Sequence, residues 1–112
     1  MTIHIPYLPE LLLFLEETQC VQKRTQTDYQ KVLSSFYNFL QLEQKNYLEP
    51  INISTSDIRK YITYLVEEKQ LKISTVNKHI SKIKGYFDFL ERIGKVGVDP
   101  AAKLKRLPNQ NQ

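Results

Sequence analysis

The sequence predicts an all-α domain: a compact four-helix bundle with a short extra C-terminal helical turn. Three observations carry this. Four segments place apolar residues at three- and four-residue spacing. No stretch shows a convincing strand pattern. The 112 residues, 41% of them hydrophobic, suit one domain with one core.

The first predicted helix covers roughly Tyr7 to Gln19, with Leu8, Leu11, Leu12 and Leu15 as its stripe. Pro9 is tolerated in a first turn, where an amide has no intrahelical acceptor. The second runs from about Thr25 to Gln44. Thr25 and Asp28 have the spacing of a capping box. Tyr29, Val32, Leu33, Phe36, Phe39 and Leu40 share one face, with Gln30, Lys31, Ser34 and Asn38 opposite. The segment from Asn46 to Ile53, with Pro50, reads as a connector.

The third predicted helix starts at Ser54, with Asp57 completing a second capping-box pattern, and ends near Lys69. Ile58, Tyr61, Ile62, Leu65 and Val66 form its apolar face. The fourth runs from Ser74 to about Ile93. Val76, Ile80, Ile83, Phe87 and Leu90 form its stripe, and Asn77, Lys78, Ser81, Lys82 and Lys84 fall outside it. Gly94 and Gly97 stop this helix. Asp99-Pro100 opens the last short turn, through Leu104. Residues 1–107 thus form the domain, and 108–112 a flexible polar tail.

Composition narrows the function classes. The densest apolar run, Leu11 to Leu15, is far below the ~20 residues of a membrane span. No secretory leader is recognisable, so a soluble, cytoplasmic protein is expected. Cys20 is the only cysteine, which excludes an intrachain disulfide and reads as a small residue rather than a reactive thiol. His4, His79 and one cysteine make no zinc set. No phosphate loop, nucleophile elbow or metalloprotease motif is present. Glu16-Glu17 and Glu67-Glu68 read as solvated surface. No catalytic residue, cofactor or metal is expected.

The formal net charge is +4, and it is unevenly spread. Residues 1–56 hold four basic and six acidic residues; residues 57–112 hold twelve and six. Between Lys72 and Lys84 there are four lysines and no acid. Such a block fits either a polyanion surface or a solvated helix face. Lysines gain affinity by displacing phosphate counterions, and short polar side chains fix register or read bases. The candidate DNA contacts are Lys23, Arg24, Thr25, Thr27 and Lys31 on the second helix. On the fourth they are Thr75, Asn77, Lys78, Ser81, Lys82 and Lys84.

Three stretches, in order, resemble a known family. Thr25-Gln-Thr-Asp-Tyr29 is followed by Phe36-Tyr-Asn-Phe-Leu40. Ile53-Ser-Thr-Ser-Asp-Ile58 leads to Tyr61-Ile-Thr-Tyr-Leu65. Ser74-Thr-Val-Asn77 leads to Phe87-Asp-Phe-Leu90 and then Asp99-Pro-Ala101. Together they are similar to the SAM-like core-binding domain of phage integrases and other tyrosine site-specific recombinases, over roughly residues 8–107. The resemblance implies a SAM-like orthogonal bundle that clamps double-stranded DNA. A separate C-terminal catalytic domain would supply the tyrosine nucleophile, so this chain is expected to be no enzyme by itself. It further implies contacts with other recombinase protomers in a synaptic tetramer, the isolated domain being monomeric. A SAM-like protein–protein interaction module is the alternative.

Overall fold

The computed structural model describes residues 23–43 and 52–108. They hold three α-helices and no strand: α1, Lys23–Leu42; α2, Thr55–Glu67; and α3, Ile73–Arg92. These are the second, third and fourth helices expected from the sequence. The first expected helix and its Leu8–Leu15 stripe lie outside the described residues. So do Cys20, most of the connector and the last four residues. The described fold is therefore all-helical with three helices, against an expected total of four.

The helix starts show which local chemistry is readable in the sequence and which is not. At α2 the expected capping box forms: Asp57 N–H donates to Ser54 Oγ at 3.1 Å, and Ser54 N–H to Asp57 Oδ2 at 2.9 Å. Two amides with no intrahelical acceptor are thereby satisfied. The box expected at Thr25 and Asp28 does not form. α1 already begins at Lys23, so Thr25 lies inside the helix, and Asp28 pairs instead with Lys78. α3 begins at Ile73, one residue before the expected Ser74, without a side-chain cap.

The ends of α2 and α3 use different devices. Gln70, at φ 51°, takes a left-handed conformation in the joint between α2 and α3. Lys69 N–H and Leu71 N–H turn back to the Tyr64 and Leu65 carbonyls. After α3, Gly94 is left-handed at φ 80°. Gly94 N–H bonds Glu91 O and Lys95 N–H bonds Leu90 O, the paired bonds of a Schellman stop.

The three helices close around an aromatic centre. Phe36 of α1 lies 5.2 Å from Tyr61 of α2 and 6.4 Å from Phe87 of α3, ring centre to centre, both edge-on. Tyr37, absent from the expected α1 stripe, is also fully buried. Facing both α2 and α3, α1 needs a wider apolar arc than a single stripe. Beyond Gly94 the chain folds back onto the bundle. Val96, Ala101 and Leu104 are buried, and Thr55 Oγ donates to Pro100 O at 2.7 Å. Two short turns, Ala102 N–H to Asp99 O and Leu104 N–H to Ala101 O, make the expected terminal turn.

Candidate nucleic-acid interface

The N-terminal halves of α1 and α3 lie side by side. Lys78 Nζ is 3.2 Å from Asp28 Oδ2. One turn later Lys82 Nζ sits 4.4 Å above the centre of the Tyr29 ring. Gly85 faces the same tyrosine: a Cβ there would stand 2.7 Å from the Tyr29 hydroxyl oxygen. Glycine permits this close approach of the two helices.

This packing brings two polar faces together. On α1, Arg24, Thr27 and Lys31 line the outer side, and Thr25 is half-buried. On α3, Ser74, Lys78 and Ser81 are exposed and repeat every three or four residues, so they form one ridge. Thr75 and Lys82 are half-buried on the flank toward α1. Lys23 opens α1. The surface offers ammonium and guanidinium groups interleaved with hydroxyls, and Asp28 is the acid paired with it. The hydrogen bond from Lys78 holds the Asp28 carboxyl below the ordinary carboxylate range against the upward pull of burial. The charges of Lys78, Lys82 and Arg24 help.

Two sequence-predicted contacts are bonded to the chain's own C-terminal segment. Asn77, expected on the exposed side, is only 3% exposed. Its Oδ1 accepts from Leu107 N–H at 2.6 Å and its Nδ2 donates to Leu107 O at 3.0 Å. Lys84 is half-buried and donates to Leu104 O at 2.6 Å. Both lie on the flank of α3 that the returning C-terminal segment covers. Nothing in a helical wheel marks that flank as covered, because the covering residues are distant in sequence.

Beneath the seam lies a polar knot joining all three helices. Tyr61 Oη donates to Ser35 Oγ at 2.8 Å and lies 3.0 Å from His79 Nδ1. With the Tyr61 proton directed to Ser35, the His79 Nδ1–H is the donor to Tyr61. Burial pushes the Tyr61 hydroxyl up to about 12, so it stays protonated. Burial lowers the His79 pKa, and the Lys78 charge lowers it further. Tyr61 has structural partners on both sides, in keeping with a core role.

Asp88, Glu91 and Asp99 approach one another, but Asp88 pairs with Arg92 at 3.4 Å and Asp99 accepts the Ala101 amide at 2.7 Å. A cleft of about 580 Å³ between the end of α1 and α2 contains none of the sequence-predicted residues. Among the described residues, no helix is long and apolar enough to cross a membrane.

The sequence matches the family described as phage integrase, N-terminal SAM-like domain, over residues 8–94. It is 28% identical over 106 residues to tyrosine recombinase XerD of Rickettsia bellii, covering 95% of this chain and 33% of that protein. Tyrosine recombinase XerD of Rickettsia conorii gives the same identity and coverage. Tyrosine recombinase XerC of Chlorobaculum tepidum is 26% identical over 98 residues, 84% of this chain and 29% of the relative. The chain thus spans about a third of the length of these curated relatives. No solved structure matches it significantly.

Proposed function

The chain belongs to the family of phage integrase N-terminal SAM-like domains, and on that premise we propose that it is the DNA-binding domain of a tyrosine site-specific recombinase. It clamps duplex DNA while a separate C-terminal domain does the cleavage and joining, and other protomers complete a synaptic tetramer. The observation that carries the reading is the packing of α1 against α3. Through Asp28–Lys78 and Lys82–Tyr29, it puts Arg24, Thr27 and Lys31 beside the Ser74–Lys78–Ser81 ridge. A helix is narrow enough to enter the major groove, and a neighbouring basic helix then reaches the flanking phosphates. Thr25, Thr75 and Lys82 support the edges of the same surface, and Lys23 opens α1. Asn77 and Lys84 support it from inside, through the C-terminal segment.

The test is a titration of the 112-residue chain with duplex DNA at several salt concentrations. Lys78→Ala with Lys82→Ala is expected to weaken binding and to reduce the log–log salt slope by ~0.9 for each phosphate no longer neutralised. Wild-type affinity and slope in this variant, with helicity unchanged, would reject the surface. The interaction-module alternative instead expects self-association without DNA. Among the described residues, the exposed large hydrophobic side chains are Leu42, Ile93 and Val98.

A further inference from the structure

The two α3 residues that turn away from solvent hold a piece of chain in place. Asn77 presents an acceptor to Leu107 N–H and a donor to Leu107 O, the pairing a neighbouring strand would offer. Two turns further along the same flank, Lys84 bonds Leu104 O. Leu104 therefore lies beside Lys84 and Leu107 beside Asn77, so the segment runs antiparallel to α3. The buried Leu104 side chain and the Thr55–Pro100 bond fix the preceding turn. Between the two anchor points stand Lys105 and Arg106, both exposed. Lys105 also lines a cleft of about 460 Å³ with Arg59 and Lys103.

We infer that Asn77 is a positioning residue that lays Lys105 and Arg106 along α3 as two additional phosphate-binding groups of the DNA surface. The inference rests on the DNA-binding reading above and extends it to residues outside the helices. A basic pair on an untethered tail would give up conformational freedom whenever it met a phosphate. Anchored at Leu104 and Leu107, it is ordered before the ligand arrives, so less of its binding energy is spent on ordering. The position also suits the charge: Asn77 and Lys84 occupy the flank next to the ridge that carries Lys78 and Ser81.

The inference is tested by the salt dependence of duplex binding in the 112-residue chain. Lys105→Ala with Arg106→Ala should lower the log–log slope by about 1.8, or ~0.9 for each charge removed. Asn77→Ala removes no charge, yet it should lower the slope toward the same value. It should also free the Leu107 amide to hydrogen exchange while the α1 and α3 amides stay protected. Adding Asn77→Ala to the double variant should change the slope no further. A wild-type slope in Lys105→Ala/Arg106→Ala overturns the inference, as does a wild-type slope in Asn77→Ala with the Leu107 amide freed. The surface pair is exposed, so it decides the matter even if Asn77→Ala fails to fold. Weakened binding in Lys78→Ala/Lys82→Ala without any effect of the surface pair rejects this inference alone. A wild-type chain that binds no duplex rejects both readings.

Discussion

Asp28→Asn is expected to strengthen DNA binding, although it removes an ion pair. Asp28 is the acid that touches the proposed surface, with its carboxylate 3.2 Å from Lys78 Nζ. A phosphate oxygen on the far side of that ammonium would stand roughly 6 Å from the carboxylate, since an N⁺–H···O⁻ bond spans about 2.8 Å. In water, two unit charges at ~6 Å repel by slightly more than thermal energy, or about threefold in affinity. The Debye length is about 30 Å at 0.01 M salt, 8 Å at 0.15 M and 3 Å at 1 M. The gain should therefore be about threefold at the lowest salt, below about twofold at 0.15 M, and nearly absent at 1 M. The fold should be little affected, because Lys78 is exposed and a solvent-screened ion pair contributes little to stability. The assay is fluorescence anisotropy with a labelled duplex across that salt series, beside a melting curve of each protein. Weaker binding by Asp28→Asn at low salt would refute the reasoning, since Asp28 would then be orienting Lys78 toward its phosphate. A gain independent of salt would refute it equally, because charge repulsion could not be its source.

Four further outcomes are expected. Ser54→Ala removes the acceptor for the Asp57 amide and should cost about 1 kcal/mol of stability by urea denaturation. Tyr61→Phe takes a shared partner from Ser35 and His79 and should cost about 1–3 kcal/mol in the same experiment. Because the folded-state pKa of His79 is lowered, the unfolded chain binds its proton first. The His79 contribution is thus intact above about pH 6.5 and declines as pH falls toward the folded-state value. Melting curves should show a smaller drop between about pH 7 and about pH 5.5 in His79→Gln than in the wild type. Gly85→Ala should fail to deliver the ~1 kcal/mol that helix propensity promises, because its Cβ meets the Tyr29 hydroxyl. In a Tyr29→Phe background, where that oxygen is gone, the same substitution should recover most of the gain by thermal melting.

The fold was legible wherever a local rule decided the outcome. Ser54 and Asp57 specify their own capping box, and Gly94 its own left-handed stop, within a few residues. The stripe expected for α3 is buried, and Tyr86 and Phe89 join it because α3, like α1, meets both other helices. The box at Thr25 and Asp28 failed for the complementary reason. Asp28 has the right spacing for a cap, but α1 already starts at Lys23 and Asp28 pairs with Lys78, distant in sequence on α3. Tyr37 was missed because the stripe expected for α1 was too narrow for a helix that meets two neighbours.

The site divides along the same physical line. A polar residue outside an apolar stripe has two uses: it meets solvent and ligands, or it satisfies backbone groups of chain packed over it. Lys78 and Asn77 are adjacent in sequence and both lie outside the apolar stripe, yet Lys78 is exposed and Asn77 is buried against Leu107. The difference is decided far downstream, where Leu104 inserts into the core and draws the following backbone across one flank of α3. An extended segment lying on a helix has amides and carbonyls with no ladder partner, so a carboxamide or ammonium from that helix must supply the bonds. A chain of this kind thus gives up two side chains of its polar face to hold the segment that carries Lys105 and Arg106. Charge counted along the helix alone overestimates what α3 itself presents, and it overlooks what the returning segment adds.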